Sequence, residues 1–248
     1  MSLRSTIVRE LWNNSDPCRY SKPKYVDFGY PHTNLIRSVA EWVLLNTQAK
    51  LYVEIGSMLG GSAILAAGII KQFGLDTTVL CIDPFIGDVN MWAWERDLAL
   101  SSNWRFLKLE KGQPTIYKRF LANVAESGTG DIIVPLVTTS LVGIKVLERL
   151  IRERRLGSDF VPRALYLDSA HEPDETLMEI KAAWNFLSQG GVLYGDDWSW
   201  ESVRTDVIKF AGSVIQDLTM QEKFLSSFPG ATIISFVIVY SGQWLLFK

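Results

Sequence analysis

Short apolar runs, four of five ending at a glycine or an aspartate, alternate with amphipathic runs along most of this chain. Leu51 to Ile55, Val79 to Asp83, Ile132 to Val137, Ala164 to Asp168 and Val192 to Asp196 read as strands. Ser62 to Phe73, Thr115 to Glu126, Leu141 to Arg155, Glu172 to Leu187 and Glu201 to Val214 read as the helices between them. Strands this uniformly apolar are buried on both faces, so the alternation predicts an α/β fold with a mostly parallel sheet and helices on both sides. The last two apolar runs, Ala231 to Tyr240 and Gln243 to Phe247, are parted by Ser-Gly, and predict a C-terminal antiparallel hairpin.

The 248 residues suit one domain, and 48% hydrophobic residues bury a core without disulfide or metal staples. The segment 1–48 reads as an irregular N-terminal cover followed by a helix. In that helix Leu35, Val39, Trp42 and Val43 share one face, and Thr33 or Asn34 is the candidate cap. Residues 84–114, with Trp92, Trp94 and Trp104, have weak periodicity and read as a lid-like insertion. A formal charge of −2 argues against a broad nucleic-acid footprint. No apolar run is long enough to span a membrane, and residues 1–16 lack the apolar stretch of a signal peptide. Cys18 and Cys81 suggest no disulfide framework and fit a reducing, cytoplasmic setting. Self-association is compatible with the sequence and not specified by it.

The first motif that carries chemistry is Val53 to Ser62, VEIGSMLGGS. Glycines let a backbone approach a ligand, and the following helix N-terminus favours an anionic group. A dinucleotide turn would read GxGxxG, whereas this one reads GSMLGG with Glu54 two positions before Gly56. A ligand with both an ammonium and a carboxylate uses that acid; S-adenosylmethionine (SAM) is one. The competing reading is a tight βα turn with no ligand.

Asp83 ends the second strand, where an acid accepts hydrogen bonds from ribose hydroxyls. Its competing role is a loop or capping aspartate. Asp168 ends the fourth strand, and Asp196 and Asp197 end the fifth. Neighbouring parallel strands bring such ends to one edge of a sheet. Clustered carboxylates repel one another unless a cation such as Mg²⁺ sits among them. His171, three residues after Asp168, is a candidate general base for a substrate hydroxyl. Helix capping, or a surface place for His171, is the structural alternative. His32 reads as a loop residue, and Arg152, Arg154 and Arg155 as a solvated helix end.

VEIGSMLGGS, CIDPF, LDSAHE and GGVLYGDDW, in that order, resemble the class I SAM-dependent methyltransferases with their Rossmann-like sheet. The chain is most similar to the metal-dependent macrocin and mycinamicin type of sugar O-methyltransferase, with cephalosporin hydroxylase-like relatives, over about residues 50 to 215. The resemblance implies that Glu54, Gly56, Ser57 and Ser62 hold the methionine end of SAM and that Asp83 holds its ribose. It places the adenine at Ser140, although relatives carry an acid near Thr138 or Thr139 that this chain lacks. It implies Asp168, Asp196 and Asp197 as ligands of Mg²⁺ or another divalent ion, with Asp168 also beside SAM, and Asp168 and His171 as catalytic residues. Trp92, Trp94, Trp198 and Trp200 are candidates for an apolar wall against a small-molecule acceptor.

Three other readings stay open on these residues: a metal-independent methyltransferase acting on nitrogen or a carboxylate, a nucleotide-binding oxidoreductase on the same sheet, and a binding protein without turnover.

Overall fold

A computed structural model describes residues 2–19, 25, 33–92, 107–157, 162–169 and 171–248. His32, Trp94, Trp104 and the rest of residues 93–106 of the expected lid lie outside the described residues.

The chain opens with helix α1 (Leu3–Trp12) and α2 (Arg37–Thr47), then runs β1 (Leu51–Ile55), α3 (Gly61–Phe73), β2 (Thr78–Asp83) and the short α4 (Val89–Trp92). It continues through α5 (Ile116–Glu126), β3 (Ile133–Val137), α6 (Ser140–Arg152), β4 (Ala164–Leu167), α7 (Glu175–Phe186) and β5 (Val192–Gly195). Helices α8 (Glu201–Ala211) and α9 (Leu218–Ser227) precede β6 (Thr232–Ile234), β7 (Val237–Tyr240) and β8 (Gln243–Phe247).

One sheet has the order β3-β2-β1-β4-β5-β8-β7-β6, parallel from β3 to β5 and antiparallel beyond. The chain leaves β1 in one direction for β2 and β3, and β4 starts the other half. That reversal opens a crevice at the carboxyl ends of β1 and β4, where ligands bind in sheets of this kind.

Alternation along the strands splits the core in two. Tyr52, Cys81, Tyr166 and Tyr194 pack with residues of α2, α3, α5 and α9. Val53, Leu80, Leu165 and Leu193 pack with residues of α1, α6, α7 and α8. In register, Glu54 lies opposite Cys81 and Tyr166, and Tyr166 opposite Tyr194. Glu54 therefore shares its face of the sheet with the tyrosines.

The five parallel strands and the helices between them stand where periodicity puts them, with ends shifted by a few residues. Three segments differ. Residues 3–12 are helical rather than irregular. The Ser2 hydroxyl caps α1 by accepting from the Ser5 N–H, and the helix buries only Ile7 and Val8. Its anchoring is polar and long-range: Arg4 donates twice to Asp16 at 2.8 and 2.9 Å, and the Trp12 indole donates to the Pro135 carbonyl at 2.8 Å. So narrow an apolar stripe gives little period to read. Helix α9, capped by Asp217, likewise has weak amphipathicity and only Gln221 and Phe224 buried. The run Ala231 to Tyr240 is not one strand. It folds back at Ser235 and Phe236, both at positive φ (47° and 71°), so that three antiparallel strands close the sheet. Two positive-φ residues in a two-residue hairpin loop are ordinarily Asn-Gly or Gly-Gly, so Ser-Phe carries no turn signal.

At smaller scale, α2 starts at Arg37 with no side-chain cap, and Thr33 instead accepts from the Leu35 N–H. Trp200, not Ser199, holds the cap position of α8. Arg152, Arg154 and Arg155 are exposed, and Arg155 pairs with Glu10 of α1 at 2.5 Å. Among the described residues no helix is long and apolar enough to cross a membrane.

Candidate active site

The turn after β1 fixes the site. Gly56 sits at φ +85°, donates to the Ile82 carbonyl at 3.0 Å, and lies so near the Asp168 carbonyl that a side chain there would clash with it. Glycine is the residue that fits both demands. Asp168 in turn donates its N–H to the Ile55 carbonyl at 2.9 Å. The ends of β1, β2 and β4 are thereby drawn together around one cavity of about 330 Å³. That lies at the lower end of the range of small-molecule clefts, roughly 300–1,000 Å³.

Gly56, Asp83, Ser140, Asp168 and His171 line this cavity, with Met58 and Ile82 among its apolar walls. Glu54, Ser57 and Ser62 are not part of the lining; they are buried behind the turn. Glu54 is fully buried, and among the described residues neither of its oxygens nor the Ser57 hydroxyl has a partner of hydrogen-bond geometry. Burial lifts the Glu54 carboxyl to about 7, against the pull of the nearby Ser57 and Ser62 hydroxyls. An orphaned buried acid beside a glycine cradle fits a ligand that brings a positive group.

Asp83 has a structural task of its own. One oxygen accepts from the Met58 N–H at 2.7 Å, and the other from the Phe85 N–H. It clamps the glycine turn, while burial raises its pKa. It still lines the cavity, so the clamp and a ribose contact are compatible: each carboxylate oxygen has a second lone pair.

The acids near His171 are arranged differently from the order along the strands. Ligand atoms of Asp168, His171 and Asp197 lie within 4.8 Å of one another, and among the described residues this is the one such group. Asp196 falls outside it. Asp197 has φ 58°, which turns the chain just after β5, so the two neighbours part company. Asp196 is engaged by Asn34, and its Oδ2 has no partner among the described residues. Burial, then the neighbouring Asp197 and Asp196, push the Asp168 carboxyl well up.

His171 is held from two sides. Its Nε2 is 2.6 Å from Asp197 Oδ2 and its Nδ1 is 2.8 Å from Asp88 Oδ2. Burial lowers its pKa, but the hydrogen bonds with Asp197 and then Asp88 prevail and hold it at about 10. Trp200 lies against the ring with centroids 4.7 Å apart. The Ser202 hydroxyl donates to the His171 carbonyl. Trp198, by contrast, packs into the second core, and the Trp92 indole donates to the Ile86 carbonyl at 2.8 Å.

Sequence reasoning passed over Asp88, Ser169 and Glu179, which also line the cavity. Asp88 sits among the residues of the supposed lid, and Glu179 inside a helix, where an acid ordinarily signals a solvated face.

A family described as a methyltransferase domain matches residues 53–198, more than half of the chain. The chain belongs to that methyltransferase family. The match spans every residue of the cavity lining. The enzyme is thus a SAM-dependent methyltransferase. No curated protein sequence matches it. Among solved structures the methyltransferase is similar to the calicheamicin methyltransferase CalS11, at 15% identity and TM-score 0.50, over 85% of this chain and 76% of that one. It is also similar to cofactor-bound Rv0187 from MTB, at 16% identity and TM-score 0.49, over 98% and 95%. A third is the O-methyltransferase TomG from Streptomyces achromogenes in complex with SAM, at 17% identity and TM-score 0.48, over 89% and 83%. The likeness to CalS11 is one of fold.

Proposed function

We propose that this methyltransferase acts on a hydroxyl oxygen of a small-molecule acceptor, assisted by a divalent cation. The observation that carries the reading is His171: an imidazole on the wall of the cavity, fixed by Asp88 on one nitrogen and facing the Asp168–Asp197 acids with the other. SAM, when bound, supplies an electrophilic methyl group on a sulfonium.

The protein's part is to align and to move a proton. Glu54, buried just behind the turn, offers its negative charge to the donor's ammonium from behind the cavity wall, and Asp83 takes a ribose hydroxyl while it holds the turn. An acceptor hydroxyl beside His171 gives its proton to Nε2. Its oxygen forms the new bond to the methyl carbon as the carbon–sulfur bond breaks. Asp88 keeps the proton on Nδ1 and so keeps Nε2 the accepting nitrogen. Trp200 shields the ring on one side and excludes water there.

The acids fit a cation. Two carboxylates, Asp168 and Asp197, offer hard oxygen donors beside the imidazole, one oxygen of nearby Asp196 is orphaned among the described residues, and burial, then the neighbouring acids, raise the Asp168 carboxyl. A divalent ion held by Asp168 and Asp197 would lower the pKa of the hydroxyl and take Asp197 away from His171. Asp197 otherwise keeps the ring protonated and unable to accept.

The contact of His171 with Asp197 also favours a second reading, in which the imidazolium itself neutralises the acids and transfer is metal-independent. Turnover of acceptor libraries with SAM, with EDTA and with Mg²⁺ restored, separates the two. O-methylated product that disappears on chelation supports the first reading; N- or carboxyl-methylated product overturns it.

A further inference from the structure

We propose that Glu179 reads the adenine ring of the bound methyl donor, in place of the acid absent after β3. The inference rests on the reading that SAM occupies the cavity described above.

Beyond β3 the chain offers Thr138, Thr139 and Ser140. None carries a carboxylate to accept from the exocyclic amine of adenine. Helix α6 begins there, with Thr139 at the cap position and no side-chain cap bond. Helix α7 packs beside α6, and its Glu179 carboxyl reaches the cavity wall although only 6% of the residue is exposed. The Ser169 hydroxyl donates to Oε2 at 2.7 Å, and the Ser140 hydroxyl lies near enough to lower the carboxyl's pKa against the larger effect of burial.

Glu179 forms no salt bridge among the described residues. The His171 imidazolium acts on it without pairing directly, and a buried carboxylate lacking a direct ion pair is costly. An acid that faces a ligand cavity under those conditions has unused acceptor capacity directed at the ligand. Ile82 and Met58 on the same cavity wall supply the apolar surface that a purine ring packs on. Adenine presents an amine donor at its six-position. Ser140, Ser169 and Glu179 together form one polar cluster in the cavity lining, brought together from α6, the turn after β4, and α7.

The test is calorimetric binding of S-adenosylhomocysteine and of its analogue lacking the six-amino group, to the wild type, Glu179→Gln and Glu179→Ala. The wild type is expected to bind S-adenosylhomocysteine roughly tenfold more tightly than the deamino analogue, as for one hydrogen bond to a buried acid. Glu179→Ala is expected to lose that preference by weakening S-adenosylhomocysteine alone. Glu179→Gln, whose amide oxygen still accepts, is expected to keep most of it. Equal weakening of both ligands by Glu179→Ala assigns the residue to packing and overturns the proposal. So does a wild type that does not distinguish the ligands, a result independent of how any variant folds. A wild type that binds neither overturns the placement of the donor itself.

Discussion

Asp88 and His171 stand 83 residues apart in sequence and meet through a 2.8 Å contact between Oδ2 and Nδ1. An imidazole tethered this way presents its other nitrogen in one direction. His171→Ala is expected to lower kcat by roughly 10²- to 10⁴-fold, the usual range for a lost acid–base group. Asp88→Asn is expected to cost roughly tenfold or more, by loosening the tautomer and the orientation. Neither change should move the affinity for S-adenosylhomocysteine by much. Steady-state kinetics beside calorimetry check this; a parallel loss of binding would refute a role confined to proton transfer.

Gly56 and the Asp168 carbonyl are in close approach, and Gly56 has φ +85°. Gly56→Ala is therefore expected to force β1 and β4 apart. Overpacking of this kind costs about 1–3 kcal/mol. The melting temperature should fall, and S-adenosylhomocysteine should bind weakly or not at all. A variant with native stability and affinity would show that the cradle is looser than described.

Glu54 makes stability and cofactor affinity depend on pH in opposite ways. Its folded pKa of about 7 lies above the ordinary 4.5. The folded chain thus holds more protons between these values, and stability is expected to fall as pH rises from about 4.5 to 7, then to level off. An ammonium partner needs the carboxylate, so affinity for S-adenosylhomocysteine is expected to weaken as pH falls through 7. Glu54→Gln should flatten both profiles, stabilise the chain above pH 7, and bind the ligand poorly. Denaturant melts and calorimetry from pH 5 to 8.5 give both curves.

Asp168 and Asp197, the acids grouped with His171, would hold a cation. Chelation is expected to reduce turnover by roughly tenfold or more, and Mg²⁺ or Mn²⁺ to restore it, as for a metal that polarises the reacting oxygen. Asp197→Asn should remove the metal response. Full activity of this variant in EDTA would favour the metal-independent reading.

Both cysteines are buried. Cys18 donates to the Ile133 carbonyl at 3.4 Å, and burial pushes its thiol up to about 12. Burial raises Cys81 as well. Neither is expected to react with a thiol reagent at pH 8 until the protein is unfolded. Fast native-state labelling would contradict the packing of Cys18 against Ile133 and the burial of Cys81 within the sheet.

The parallel half of the sheet and the acids at its strand ends are legible in the amino-acid order, because burial on both faces leaves uninterrupted apolar runs and four of the five stop at a Gly or Asp. Gly56, Asp83 and Asp168 reach the crevice for that reason. Partners that depend on distance through space are not legible. No local pattern marks Asp88 as the companion of His171, or Glu179 as a cavity residue, since a carboxylate in a loop or helix has the same local signature whether it meets solvent or a ligand. The parting of Asp196 from Asp197 is likewise decided by one positive φ after β5. Periodicity, a property of neighbours along the chain, determined which segments became strands and helices. Only packing of the layers decided which side chains face one another, because that choice is made by contacts between residues tens of positions apart.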